Sequence, residues 1–336
     1  MSGSSGLRIA LAGATGALGR EVIAVLEEKR LPLRAFFPFA TEGSAGEDVE
    51  LNGELFPIEA APPRLQDVDL LFLCTPPDAA RELVRQALHA EVPCIDCSGA
   101  LSDSEEVPIL LSELCPPVAA LGVPLIATPA GPTYAWALTL SAVDQAAGLR
   151  RVVGTVLRSV ALAGRLGIEA LSKETIAILS QHELPDPSVF RSQVAFDCVP
   201  GVGESAPEFD GASASETLLA RDLQRLLGRP VPISATFVQV PTFVGDGSAL
   251  AIETERPIEP EALAGVFEKA PGLEVWPRDQ LGPTTRDTVG RDVALVSRLR
   301  RDPSCENGLL LWVAADALRL TAANLVKLAE ARLQLH

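Results

Sequence analysis

Basic residues are scarce in this 336-residue chain: 28 lysines and arginines face 44 aspartates and glutamates, a formal net charge of -16. An acidic surface repels phosphate backbones and anionic headgroups, so neither nucleic acid nor a membrane is expected as a partner. Long apolar runs are missing as well. Hydrophobic residues make up 47% of the chain, yet none of their runs reaches the ~20 residues that a membrane-spanning helix needs. No secretory signal is legible, because a charged strand-and-loop unit begins almost at once, and the expected location is the cytoplasm. Met1 to Gly6 is rich in glycine and serine and is expected to be frayed. The six cysteines (Cys74, Cys94, Cys97, Cys115, Cys198 and Cys305) are scattered, mostly in apolar segments, as reduced core residues are. Cys94 and Cys97 alone have the spacing of a redox or zinc pair. The run before them reads as a strand, which turns positions i and i+3 to opposite faces, and no second Cys or His pair stands at metal spacing. No metal is therefore expected. Internal repeats and low-complexity linkers are also absent.

Leu7 to Leu26 (LRIALAGATGALGREVIAVL) is the stretch around which the rest is organised. Leu7 to Ala12 reads as a buried strand. The loop Gly13-Ala-Thr-Gly16-Ala-Leu-Gly19 follows, and then a helix with Val22, Ile23, Val25 and Leu26 on its apolar side. This is the opening unit of a dinucleotide-binding βαβ fold. The first glycine permits a sharp turn, the second lets backbone N–H groups approach a pyrophosphate, and the third lets helix and strand pack closely. The alternative is a glycine loop that binds nothing.

Leu33 to Phe37 is expected as a second strand. The loop after it, Ala40 to Asp48, is acidic and contains no Arg or Lys. A 2′-phosphate would be repelled there, whereas a carboxylate accepts hydrogen bonds from free ribose hydroxyls, so NAD is favoured over NADP. Glu42 is either the ribose contact or a solvated loop carboxylate. Val68 to Cys74 is a continuous apolar run, as a buried parallel strand should be. A helix from Ala79 to Ala90 is expected next, with Asp78 as its cap and Leu83, Val84 and Leu88 as its buried stripe. Strands at Val92 to Asp96 and Val123 to Ala127 complete an alternating pattern that predicts a doubly wound parallel sheet. The loops after Ala12, Cys74, Asp96 and Ala127 lie at the carboxyl ends of its strands, where such sheets bind ligands.

From Pro132 the pattern changes. Helices are expected at Thr133 to Ala147, Ala163 to Leu179 (carrying Leu166, Ile168, Leu171 and Ile176), Ala214 to Leu227 and Asp316 to Leu333. Strands are expected at Arg151 to Val160, Ile233 to Pro241, Ala249 to Thr254, Asp292 to Leu299 and Leu309 to Ala314. His182 to Pro207 reads as a proline-rich loop. Long strands broken by helices, without a βαβ repeat, point to a mixed sheet.

Several stretches resemble the aspartate-semialdehyde dehydrogenase family, in order along nearly the whole chain. The opening GATGALG is similar to that family's cofactor loop. Ile95-Asp-Cys-Ser-Gly-Ala100 is similar to IDxSxA, and Ile126-Ala-Thr-Pro-Ala-Gly-Pro-Thr133 lies over IANPNCST. Ala195-Phe-Asp-Cys-Val-Pro200 is similar to AFNxxP, Val240-Pro-Thr-Phe-Val-Gly-Asp246 lies over VPVFxGH, and Asp316-Ala-Leu-Arg319 with Asn324 matches the DNLRKGAAxN helix. The resemblance implies an α/β fold: a Rossmann domain (1–131), a mixed-sheet dimerisation domain (132–315) and a C-terminal helix (316–336) that returns to the first domain. It implies a homodimer and a nicotinamide cofactor, NAD or NADP, held by Gly13, Thr15, Gly16, Ala17, Leu18, Gly19, Glu42, Ser44 and Asn324.

The family's reaction needs a thiolate that adds to the aldehyde, a hydride transfer to nicotinamide, and attack of phosphate on the thioester. Here the resemblance places Gly131 at the cysteine, or Ala130 if the alignment slips by one. It places Asp246 at the histidine, Gln239 at the substrate-binding arginine, and Ser102 at a second, phosphate-contacting arginine. Leu218 stands near a lysine, and Gly43 at the arginine for the 2′-phosphate. Every change removes a cation or the nucleophile, as in the Usg-like branch of the family. The remaining reactive groups have plain structural alternatives. Cys97 is a substitute nucleophile or a buried small residue. His182 is a general base or an exposed loop histidine. Asp246 is an acid/base or a turn residue. Tyr134 and Trp136 fill the cleft or the core. Three functions follow: a catalytically degenerate, nucleotide-binding dimer; an active NAD-dependent oxidoreductase on a less charged substrate; or an interaction protein that has lost the nucleotide.

Overall fold

The computed structural model describes residues 6–44, 46–102, 104–115, 122–129, 131–187, 189–201, 203 and 210–333. Ala130 and most of the frayed start expected at Met1 to Gly6 lie outside the described residues. The chain divides into two compact units, residues 1–130 with 321–336, and residues 131–320.

In the first unit a five-stranded parallel sheet runs in the order β2-β1-β5-β6-β7, from β1 (Leu7–Ala12), β2 (Leu33–Phe39), β5 (Leu70–Leu73), β6 (Cys94–Asp96) and β7 (Leu125–Ala127). The chain leaves β1 to one side for β2 and returns on the other side for β5. The strand order therefore reverses beside β1, the usual ligand crevice of open α/β sheets. Helix α1 (Ala17–Lys29) covers one face and α2 (Pro77–His89) the other. The face under α1 also takes Ala322, Leu325, Val326 and Ala329 of α7 (Ala317–Leu333), so the last helix contributes core to this unit. Cys94 packs with the α2 side and Cys97 with the α1 side, as alternation along a strand requires. A hairpin of β3 (Asp48–Leu51) and β4 (Glu54–Pro57), turned by Asn52 and Gly53 at positive φ, adds to the elements expected from the sequence. Two further expectations are corrected. The cap of α2 is Pro76, not Asp78; Asp78 lies in the first turn and pairs with Arg81. Leu88 is 46% exposed, outside the buried stripe of Ala80, Leu83, Val84 and Ala87.

The second unit holds a mixed sheet in the order β12-β13-β14-β11-β8-β10-β9. Its strands are β8 (Leu149–Arg158), β9 (Val199–Pro200), β10 (Ile233–Gln239), β11 (Asp246–Thr254), β12 (Leu273–Val275), β13 (Ala294–Arg301) and β14 (Gly308–Ala315). Helix α3 (Thr133–Ala147) is buried almost throughout. Gly154 of β8 is glycine for a reason of space: a Cβ there would stand 2.5 Å from the Trp136 ring. Ser248, Leu250 and Ile252 of β11 face the helices, and Trp136 donates from Nε1 to Ser248 Oγ (2.9 Å). Tyr134 and Trp136 are thus core residues. The register places Thr155, Ala249 and Trp312 in one row on the opposite face, beside Val153, Ala251 and Leu310, and these are exposed or half-exposed. Helices α5 (Ala214–Leu227) and α6 (Pro260–Phe267) pack beside α3 in the helix layer, α5 opened by a Ser213/Glu216 capping box. Helix α4 (Gly164–Leu179) buries Leu171 but leaves Leu166 58% and Ile176 61% exposed, which corrects the apolar stripe expected of it.

Candidate functional site

The glycine loop is shaped by contact. Gly13 has φ of 79°, and a Cβ on it would stand 2.3 Å from the Cys74 carbonyl oxygen at the end of β5. A Cβ on Gly19 would stand 2.1 Å from the Gly13 carbonyl oxygen. Neither position admits a side chain, so α1 starts tightly against the loop. Gly16 caps α1 without a side-chain acceptor, and no acid sits in the first turn. The positive end of the helix, at Ala17, Leu18 and Gly19, is open to an anion. Thr15 Oγ1 donates to Ser44 Oγ at 3.1 Å, joining this loop to the one after β2. Glu42 opens the short 3-10 turn Glu42–Ser44 and is exposed. The loop after β2 has no base of its own, but Arg20 of α1 reaches it. Its Nε donates to the Thr15 carbonyl (3.1 Å) and its Nη2 meets Glu47 Oε2 (3.3 Å).

Two further loops of this unit are tied internally. Asp96, fully buried, accepts from Ser98 N (2.9 Å), Ser98 Oγ (2.6 Å) and Leu101 N (3.2 Å). Burial pushes its carboxyl up, and these donors pull it back. Ser102 is 2% exposed at the end of that loop. Asn324 of α7 is fully buried; its Oδ1 accepts from Ser112 N (2.9 Å) and its Nδ2 donates to the Leu110 carbonyl (3.0 Å). Both ends of its amide are thus engaged in holding 110–112. Cys97 is 6% exposed, and burial and the neighbouring Cys74 push its thiol well up. It is a protonated core residue, not an activated thiolate.

In the second unit, Gly131 precedes α3 with φ of 57°, and the nearest atom to a Cβ there is Leu162 Cδ1 at 3.6 Å. Space for a side chain exists, and none is present. The Leu162 carbonyl accepts from Arg158 Nη2 (2.9 Å) at the end of β8. The Arg158 carbonyl accepts from Gln239 Nε2 (2.7 Å), while the buried Gln239 Oε1 has no hydrogen-bond partner. Asp246, 4% exposed, accepts from Ser159 N through Oδ1 (2.6 Å). Burial pushes its carboxyl up to about 7, with the Ser159 N–H and the Arg158 charge opposing and Asp316 adding to the rise. The structure therefore gathers Gly131, Gln239 and Asp246 around Leu162 and Arg158. Arg158 was missed from the sequence, where it read only as the end of a β-branched strand. His182 stands elsewhere: it is exposed, and its N–H closes the end of α4 on the Ala177 carbonyl (2.9 Å) after Gln181 at positive φ, a Schellman stop. Among the described residues no group of three or more His, Cys, Asp and Glu side chains could hold a metal ion.

The profile of the "Semialdehyde dehydrogenase, NAD binding domain" family matches residues 8–121, and that of the "Semialdehyde dehydrogenase, dimerisation domain" family matches residues 140–320. The chain belongs to the semialdehyde dehydrogenase family. It is 32% identical to the USG-1 protein homolog of Azotobacter vinelandii, over 97% of this chain and 98% of that one. It is 29% identical to aspartate-semialdehyde dehydrogenase 2 of Vibrio cholerae, with the same coverage. The solved structure of aspartate semialdehyde dehydrogenase II from Vibrio cholerae complexed with ASA superposes with a TM-score of 0.92, at 29% identity over 97% of this chain and 98% of that one. This semialdehyde dehydrogenase relative thus carries a nucleotide-cofactor domain and a dimerisation domain. The glycine contacts at Gly13 and Gly19 and the open start of α1 fit a pyrophosphate.

Proposed function

We propose that this protein binds a nicotinamide dinucleotide and pairs with a second copy of itself, but does not perform thioester chemistry on aspartate semialdehyde. The observation that carries this reading is Gly131: at the position the family resemblance gives to the nucleophile, the chain has room for a side chain and only a hydrogen to offer. Covalent capture of an aldehyde requires a nucleophile, and its loss removes several orders of magnitude in rate. Gln239 and Ser102 replace guanidinium groups that bind anions bidentately, which weakens the hold on both substrate and phosphate. Gly13, Thr15, Gly16, Ala17, Leu18 and Gly19 would cradle the pyrophosphate. Glu42 and Ser44 would face the adenosine ribose. Asn324 would act by fixing 110–112. NAD is preferred, because Arg20, the base that reaches the ribose loop among the described residues, already faces Glu47.

Purified protein incubated with aspartate semialdehyde, phosphate and NAD or NADP should form no reduced nicotinamide, while calorimetry registers NAD binding. Robust turnover would overturn the reading. In a Gly131→Cys variant the new Cβ meets nothing nearer than Leu162 Cδ1 at 3.6 Å, but a φ of 57° strains any side chain, so the variant should fold with reduced stability and should add one thiol reactive to iodoacetamide at the start of α3. It should remain inactive, because Gln239 and Asp246 are unchanged.

One observation favours a second reading. Burial pushes the Asp246 carboxyl up to about 7, and Arg158 links it to Gln239: the Arg158 charge acts on Asp246, and the Arg158 carbonyl accepts from Gln239 Nε2, whose Oε1 is unpartnered; a carboxyl poised there suits general acid/base work in an NAD-dependent reaction without a covalent intermediate. A panel of neutral alcohols and aldehydes with NAD separates the two; silence across the panel with measurable NAD affinity keeps the first.

A further inference from the structure

The second unit has a cavity of about 370 Å³ that shares no residue with the Gly131 cluster. Phe267 of α6, Val275 and Val296 give it apolar walls. Its polar side chains are mostly donors: Arg278, already paired with Glu261, and the amide of Gln280 stand with Trp276, Ser297, Arg298 and Arg300. Trp276 follows β12, with its backbone N–H donating to the Val296 carbonyl (2.8 Å), and its indole Nε1 is buried without a hydrogen-bond partner. Ser297, 6% exposed on β13, lines the same cavity, and its Oγ is likewise unpartnered. The loop over it passes close only because residue 282 is glycine: φ is 110°, and a Cβ would stand 2.9 Å from Ser297 Oγ.

Just beyond Ser297 the register of β13 against β14 slips, and Arg298 takes φ of 54°. Such a bulge re-aims side chains. Here Arg298 and Arg300 both line the cavity. Arg298 donates to the Leu281 carbonyl (3.4 Å) and Arg300 to the Arg298 carbonyl (2.9 Å). Among the described residues neither forms an ion pair, although Arg300 acts on Asp302 at longer range. The contrast with neighbouring arginines is clear: Arg278 pairs with Glu261, and Arg301 with Glu259. In a chain of net charge -16, two guanidinium groups without a carboxylate beside two orphaned buried polar atoms call for an explanation.

An indole N–H and guanidinium groups only donate, and a serine hydroxyl can also donate. The complement is an acceptor-rich anion on an apolar body, and the cavity is of the size that small ligands occupy. We propose that this cavity binds a small organic oxyanion, a carboxylate or phosphate ester carried on an aromatic or branched aliphatic group, with Trp276 and Ser297 inside and Arg298 and Arg300 at the charged end.

The test uses the full-length protein with benzoate, phenyl phosphate and the neutral benzamide as probes, read on the indole N–H resonances. Trp136 donates to Ser248 away from the cavity, and Trp312, the cross-strand neighbour of Ser297, donates to Pro283, so the resonance that Trp276→Phe removes should move most and that of Trp136 should stay fixed. The Trp276 resonance should move saturably with benzoate or phenyl phosphate; which of the two binds more tightly identifies the headgroup. An Arg298→Gln/Arg300→Gln double variant, whose folding is checked by the unchanged Trp136 resonance and by thermal unfolding, should need at least about ten-fold more anion, because two charge-assisted contacts are lost. No saturable shift with either anion, an equal response to benzamide, or an unaltered affinity in the double variant would overturn the proposal.

Discussion

A single carboxyl group, Asp246, ties chemistry to stability. It is desolvated at the start of β11, accepts one short backbone hydrogen bond from Ser159, and has its pKa pushed up to about 7. In the unfolded chain an aspartate titrates near 3.9. Between about pH 4 and pH 7 the native state therefore holds a proton that the unfolded state has lost. Stability depends on pH through the difference in bound protons. The native state binds more of them, so the contribution of Asp246 is full below about pH 4, falls as pH rises, and is lost once pH passes the folded value near 7. Asp246→Asn fixes the neutral form and keeps the acceptor for Ser159 N–H. In urea unfolding at pH 5 and pH 8, the variant should gain on the parent by roughly 1–3 kcal/mol at the higher pH. Parallel curves at the two pH values would mean that Asp246 is ionised throughout and carries no proton for catalysis.

Elements differ in how openly the sequence announces them. The glycine loop and α1 are legible because spacing and steric need coincide: Gly13 and Gly19 are glycine where backbone from a neighbouring segment leaves no room. Helix α5 is legible through its Ser213/Glu216 capping box. The β3–β4 hairpin lies outside the expected elements although Asn52-Gly53 between Val49, Leu51 and Leu55 is a strong turn signal, because each of its strands holds only four residues, too short for an alternation to stand out. Helix α6 was missed because eight residues hold too few turns for a periodicity. Leu88, Leu166 and Ile176 follow helical spacing yet stay exposed, since a stripe marks a face and not what lies against it. The loop after β2 carries the element-scale prediction. Gly43 has nothing within 4 Å of a built Cβ and its φ is not in the left-handed region, so Gly43→Arg should fold without strain. It places an uncommitted cation beside Ser44, where Glu47 already engages Arg20. NADP affinity should rise at least about ten-fold relative to NAD, the scale of one charge-assisted phosphate contact. An unchanged ratio by calorimetry would mean that this loop does not face the ribose.

At the scale of the whole molecule, the order of motifs along the chain identified the family because those motifs are spread from the first strand to the last helix. What the order leaves open is which surfaces meet a second copy. The sheet of the second unit supplies a physical answer. Helix α3 seals one face, with Trp136 filling the hollow over Gly154. The other face presents Val153, Thr155, Ala249, Ala251, Leu310 and Trp312 in register across β8, β11 and β14. The segment around Pro283 covers the Trp312 end of this face, and among the described residues Val153, Thr155, Ala249, Ala251 and Leu310 stay exposed or half-exposed; an exposed apolar sheet face is an interaction surface, and the dimerisation-domain match spans all three strands. A two-fold contact buries the same residue from both copies, so one substitution acts twice. Ala249→Glu puts two carboxylates into such an interface, and burying unpaired charge is costly. Light scattering on the parent should give twice the chain mass of 35.4 kDa, and the variant should give the single mass at micromolar concentration. Thermal unfolding and NAD binding serve as controls, since Ala249 points away from the helix-side core and the glycine loop belongs to the other unit. A variant that stays dimeric would assign self-association to a different surface, whereas a monomeric parent would overturn self-association itself; either result leaves the open face of the sheet in need of another partner.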